Sequence, residues 1–150
     1  MATNISEHQL KTIVDTIPVL AWSAGADGSA EFFNRRWLDY TGLSTEQARG
    51  WGWTVAVHPN DLNRLVDHWR SVLASGQPGE IEGRLRRFDG AYRWFLFRAT
   101  PSIDEEGRVV KWFGTNTDVE DRKRAEDVRR ASEQSSRLLL VPELEEADSL

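Results

Sequence analysis

The 150-residue chain contains no cysteine, which excludes disulfides, thiolate metal sites, cysteine nucleophiles and any cysteinyl photoadduct. No apolar run approaches the roughly 20 residues a helix needs to span a bilayer, and the polar opening MATNISEH does not have the character of a secretory signal. Net positive charge is also lacking: 24 acidic residues against 19 Lys and Arg leave -5, whereas a nucleic-acid surface depends on clustered cations. The run Arg122-Lys123-Arg124 is answered by Glu120, Asp121, Glu126 and Asp127, the pattern of a solvated helix face. There is no Ser-His-Asp spacing, phosphate loop or metal-ligand cluster, and Gly50 to Gly52 lacks the lysine of a phosphate cradle. These absences predict a cytoplasmic, non-enzymatic chain with neither a nucleic-acid nor a membrane partner.

What is present reads as one core with a helix at each end. Ser6 and Gln9 form a capping box, and Leu10, Ile13, Val14 and Ile17 follow on one helical stripe before Pro18. Val19 to Ala24 and Ala30 to Phe33 make a hairpin across Asp27-Gly28. Asn34 caps a short helix ending at Gly42, and Ser44 with Gln47 repeats the capping-box spacing. After Trp51-Gly52-Trp53, the step His58-Pro59-Asn60-Asp61 starts the longest core helix, with Asn60 or Asp61 as its cap. Leu62, Leu65, Val66, Trp69, Val72 and Leu73 form its apolar face, and Gly76 and Pro78 end it.

Glu80 to Phe88 and Tyr92 to Pro101 form a second hairpin around Asp89-Gly90, and Gly107 leads into a last strand. Apolar residues fall on both faces of this hairpin: Phe95, Phe97 and Ala99 on one, Trp94 and Leu96 on the other. A single wet face would alternate cleanly, so the opening helix or a partner subunit is expected to cover the second face. In the last strand the two-residue period runs to Asp118 and is lost from Glu120, where acidic residues precede basic ones in the order a helix start favours, with Asp118 able to cap it. This helix is expected to end before Pro142.

Phe33-Asn34 with Trp37 and Tyr40-Thr41-Gly42, Trp53 before His58-Pro59-Asn60-Asp61, and Asp89-Gly90 before Arg93-Trp94 occur in order. Together with Gly107, Gly114 and Asp118-Val119 before Arg122-Lys123, they resemble the PAS domain family over Leu10 to Asp127. The family usually has Asp-Ile-Thr at the strand exit, where this chain has Asp118-Val119-Glu120. The resemblance implies an α+β fold: a five-stranded antiparallel sheet with short helices on one face, flanked by an amphipathic N-terminal helix and a C-terminal signalling helix. The corresponding division is a cap helix at 1–18, a core at 19–119, a linker helix at 120–141 and an acidic tail at 142–150.

The function implied is a sensory and dimerisation module that couples pocket occupancy or partner contact to the C-terminal helix in signal transduction. Trp37, Leu65, Trp69, Phe95, Phe97 and Asn116 are the pocket candidates, and Asp118, Val119 and Glu120 the signal hinge. The pocket is expected to hold no cofactor or a small non-covalent ligand. One alternative is a haem or flavin sensor. His68 is a weak haem candidate, because the family's axial position falls nearer Leu65, and a phenylalanine stands where flavin-binding relatives place an amide. Another alternative is a ligand-free interaction scaffold. The implied partners are a second copy, through the N-terminal helix and outer sheet face, and an output domain of a signalling protein such as a histidine kinase.

Overall fold

A computed structural model describes the backbone of residues 6–148 and the side chains of residues 6–137. The elements are α1 (Glu7–Thr16), β1 (Leu20–Gly25), β2 (Ala30–Phe33), α2 (Arg35–Thr41), α3 (Thr45–Ala48), a 3-10 turn (Gly52–Ala56), α4 (Pro59–Ser75), β3 (Gly79–Arg86), β4 (Tyr92–Ile103), β5 (Val109–Asp118) and α5 (Glu120–Asp148). The five strands form one antiparallel sheet in the order β2-β1-β5-β4-β3. The chain divides into two compact units between Asp118 and Val119, the second being α5. The first five residues of the expected cap segment, and residues 149–150 of the expected tail, lie outside the described residues.

Local chemistry sets most boundaries. Ser6 with Gln9 and Ser44 with Gln47 close as reciprocal capping boxes at α1 and α3. Gly42 and Gly76 end α2 and α4 in the left-handed conformation, where a Cβ would be strained. The start of α4 differs from expectation: His58 is the cap, accepting the Asn60 N–H on Nδ1 at 3.1 Å, with Pro59 at the first helical position. Asp61 does not cap the helix because Arg84, across on β3, takes its carboxylate. In the second unit α5 runs on through Asp148, past Pro142 where the sequence predicts its end. A proline costs an interior helix about 3 kcal/mol, and the residues around this one are strong helix formers.

Strand registers decide which side chains meet. Phe33, Trp22, Gly114, Ala99 and Gly79 lie in one row across β2, β1, β5, β4 and β3. The neighbouring row is Leu20, Asn116, Phe97 and Ile81. These residues face the helices. The core is formed against α2, the 3-10 turn and α4, and includes buried Trp37, Ala56, Leu65, Leu85, Phe95 and Trp112. Burying a side chain such as Leu85 contributes about 1.5–3 kcal/mol.

The outer face carries half-buried Trp94 and Leu96 and exposed Phe113. The expectation that α1 covers this face is not met. Instead α1 is tied beside β2 and α2: Asn34 Nδ2 donates to Val14 O, and Arg35 N–H donates to Asp15. Its stripe remains open, with Leu10 54% and Ile13 48% exposed. The physical reason is Asn34, which is fully buried and makes four hydrogen bonds, to Val14 O, Val19 O, Ala21 N and Trp37 N. Meeting all four holds the end of α1 at the junction of β1 and α2.

Candidate functional site

The inner face encloses a cavity of about 70 Å³. Its floor exists because the row beneath α4 is small: Ala99 and Gly79 line it, and Gly114 in the same row lets the Trp22 ring lie flat on β5. Two of the three cannot be enlarged. A Cβ on Gly114 would stand 2.0 Å from the Trp22 ring, and one on Gly79 2.4 Å from Val72. The walls are mostly apolar, from Trp22, Phe33, Trp37, Leu65, Trp69, Val72 and Phe97.

Three indoles organise one side. Trp69 stands edge-on to Trp22, with ring centroids 5.5 Å apart, and to Trp112 at 5.4 Å, an arrangement favoured by the aromatic quadrupole. Trp69 Nε1 donates to Gly28 O at 3.3 Å, and Trp22 Nε1 donates to Asn116 Oδ1 at 3.0 Å. Trp112 Nε1 and His68 Nε2 are buried with no hydrogen-bond partner. His68 belongs to the cavity lining.

Of the six pocket candidates, Trp37, Leu65, Trp69, Phe97 and Asn116 line this cavity. Phe95 does not. It is 1% exposed in a separate cluster with Leu85, Ala56 and Val57, and its ring meets Tyr40 at 5.0 Å. Two residues of displacement toward the exit of β5, opposite Asp118 rather than Asn116, carry it under α2. Trp94 lies on the outer face, beneath the Arg84 guanidinium at 4.9 Å. The cavity coincides with the one inner row, Gly79, Ala99 and Gly114, where β3, β4 and β5 all carry Gly or Ala.

Beyond the cavity lies a charged end that sequence reading did not assemble. Arg93 Nε donates to Asp118 at 2.6 Å. Tyr40 donates its hydroxyl to Leu85 O at 2.8 Å, and burial, with the charge of Asp118 nearby, pushes its phenol above its ordinary range. Asp61, almost fully buried, accepts from Arg84 Nε, Nη2 and backbone N–H at 2.8–2.9 Å. Those hydrogen bonds hold its carboxyl down at about 2. The pair joins the start of α4 to the edge strand β3.

The three hinge candidates fall on the two sides of the unit boundary. Asp118 closes β5 in the clasp of Arg93. Val119 O accepts Lys123 N–H at the start of α5, and Glu120 accepts from Arg124 Nε at 3.1 Å within that helix.

Drug-sized ligands occupy pockets of roughly 300–1,000 Å³. A porphyrin or an isoalloxazine is several times larger than a 70 Å³ cavity, so these residues do not fit haem or flavin, even with His68 in the lining. Among the described residues no three His, Cys, Asp or Glu come together as a metal site. No helix among them is long and apolar enough to cross a membrane.

A family model described as the PAS fold matches residues 30–116. Peroxide stress-activated histidine kinase mak1 of Schizosaccharomyces pombe is 42% identical over 118 residues, which cover 78% of this chain and 7% of that protein. The chain spans between 5% and 15% of the length of the curated relatives it matches. Among solved structures, a sensory box histidine kinase/response regulator from Burkholderia thailandensis superposes with a TM-score of 0.63 at 23% identity, covering 88% of this chain and 98% of that one. A light-oxygen-voltage domain studied with a flavin analogue gives 0.65 at 21% identity, covering 85% and 97%. At these identities the two structures speak to the fold, which is the sheet order and helix layer described above. The family match spans β2 to β5 as far as Asn116, with α4, and the chain belongs to the PAS-fold family.

Proposed function

We propose that this chain is a cytoplasmic, non-enzymatic sensory module in which occupancy of the inner cavity is passed along β5 to α5, and from there to the output domain of a signalling protein. One observation carries the reading. The strand that supplies Asn116 to the cavity is the strand that ends at Asp118, with Val119 alone between it and α5. An occupant that displaces α4 from the floor shifts the Trp22–Asn116 contact and the register of β5 with it. Because packed cores take discrete arrangements rather than deforming continuously, such a shift reaches the strand exit.

Relatives named as histidine kinases make a kinase region the kind of output expected. The names of three relatives refer to peroxide stress. Here there is no cysteine and one methionine, Met1, so oxidation of sulfur is a poor input and a small non-covalent ligand the better one.

Hydrogen exchange of α5 in Ala99→Leu tests the coupling, since the larger side chain stands in for an occupant. Altered protection of residues 120–137 is expected, and protection identical to wild type would sink the reading.

The second copy belongs to the same proposal. Each chain offers an open apolar helix stripe, Leu10 and Ile13, and an open position on the outer sheet face, Phe113 at 52% exposure. Two surfaces on one chain suit an isologous pair related by a two-fold axis. Light scattering should give a dimer that Phe113→Glu or Leu10→Glu converts to monomer, and a monomer at all concentrations in the unaltered chain would count against it.

A further inference from the structure

The polar atoms at the cavity define what it accepts. An indole N–H can only donate, so Trp22 fixes the oxygen of the Asn116 amide toward β1 and leaves its NH2 as the group available to an occupant. His68 contributes Nε2, buried and without a partner, and a neutral imidazole can carry its proton there. A buried polar atom left unmatched is costly, and an occupant that meets it removes that cost. Charge is disfavoured. Of the lining residues, Glu80 and Arg98 pair with each other at 2.9 Å on the exposed rim, and no lining cation is turned inward to answer an anion.

Size narrows the class further. The cavity of about 70 Å³ is around half the roughly 150 Å³ of an engineered apolar cavity that binds the six heavy atoms of benzene, so an occupant has on the order of three or four heavy atoms.

Resting on the reading of this cavity as the input, we infer that it takes a small uncharged carbonyl compound whose oxygen accepts hydrogen bonds from Asn116 Nδ2 and His68 Nε2. The carbon skeleton lies over Ala99, against the ring of Trp69. The same polar pair discriminates against hydrocarbons of equal shape, which leave both donors unmet, and against carboxylates, which bring an unanswered charge.

Nuclear magnetic resonance of the ¹⁵N-labelled intact chain tests this, with acetone as the ketone probe and isobutene as its hydrocarbon counterpart. Acetone should shift the indole N–H signal of Trp22 saturably and bind about tenfold more tightly than the hydrocarbon, as one or two hydrogen bonds predict. His68→Phe should remove most of that preference, and His68→Gln, which keeps a donor, should restore part of it. Equal binding of the two probes overturns the inference, as does a preference unchanged in His68→Phe or the absence of binding by either probe. The sensory reading is judged separately, by α5 exchange in Ala99→Leu, an experiment that no ligand enters.

Discussion

Where the sheet meets α2 and the start of α4, the inner face is filled by Phe95, Leu85 and Tyr40, and the polar groups named there are paired: buried Asp61 with Arg84, Tyr40 with Leu85 O, and the more exposed Arg93 with Asp118. Where it meets the second half of α4, a row of Gly114, Ala99 and Gly79 leaves a cavity, and the nitrogens of His68 and Trp112 have no partner. One end is saturated and the other is short of atoms and of hydrogen bonds. The difference teaches where a small input can act. A close-packed, fully paired region resists rearrangement, whereas a cavity with unmet polar groups gains by being filled. Since β5 runs from the open end to the clasped one, a change at the first is delivered to a firm anchor at the second.

The largest effect is expected from emptying the saturated end. Phe95→Ala should cost about 4 kcal/mol in denaturant unfolding, because a large aromatic deleted from a packed cluster leaves a cavity its neighbours cannot close. A loss under about 1 kcal/mol would show that this end is no better packed than the cavity.

Next comes the clasp between α4 and β3. Arg84→Ala strands the buried Asp61 carboxylate and should cost about 3 kcal/mol, most of it recovered in the Asp61→Asn, Arg84→Met double variant. A double-variant cost equal to the sum of the two single costs would mean that the pair is not coupled.

The same carboxylate sets an acid dependence. Its pKa is about 2 in the folded chain, below the ordinary 3.8. Its contribution is therefore complete above about pH 4 and is lost as the pH falls through 2, by about 2 kcal/mol in total. Unfolding free energies measured from pH 5 to 2 should decline less steeply in Asp61→Asn than in wild type, and parallel declines would remove Asp61 from the account.

The contrast between the two ends was only partly legible in the sequence. Features decided within one turn of chain are read directly: the capping boxes of Ser6 and Ser44, the cap by Asn34, the stops at Gly42 and Gly76, the Asp89-Gly90 hairpin. Asp61 read as a cap because its partner is 23 residues away, and Arg93 meets Asp118 across 25. Phe95 and Phe97 share a face and differ only in which helix lies above them. Nor does the amphipathic stripe of α1 reveal where that helix docks, which depends on the buried hydrogen bonds of Asn34. Such outcomes are set by tertiary register, and periodicity carries no information about it.

The smallest effect is the sharpest probe of the difference, because it uses one substitution at both ends. Ala56 is 1% exposed in the packed cluster with Leu85 and Phe95, while Ala99 lies on the cavity floor between Gly114 and Gly79. Adding two methyl groups at Ala56 forces neighbours aside, and overpacking of this kind costs about 1–3 kcal/mol. At Ala99 the same atoms enter empty space and gain dispersion contacts with the indole of Trp69, on a strand where a β-branched side chain is at home. Ala99→Val should therefore lie within about 0.5 kcal/mol of wild type or above it in thermal unfolding, against a clear loss for Ala56→Val. It should also weaken acetone binding, because the methyl groups occupy the volume the ketone needs. Matching losses at the two alanines would erase the distinction between a saturated end and an open one.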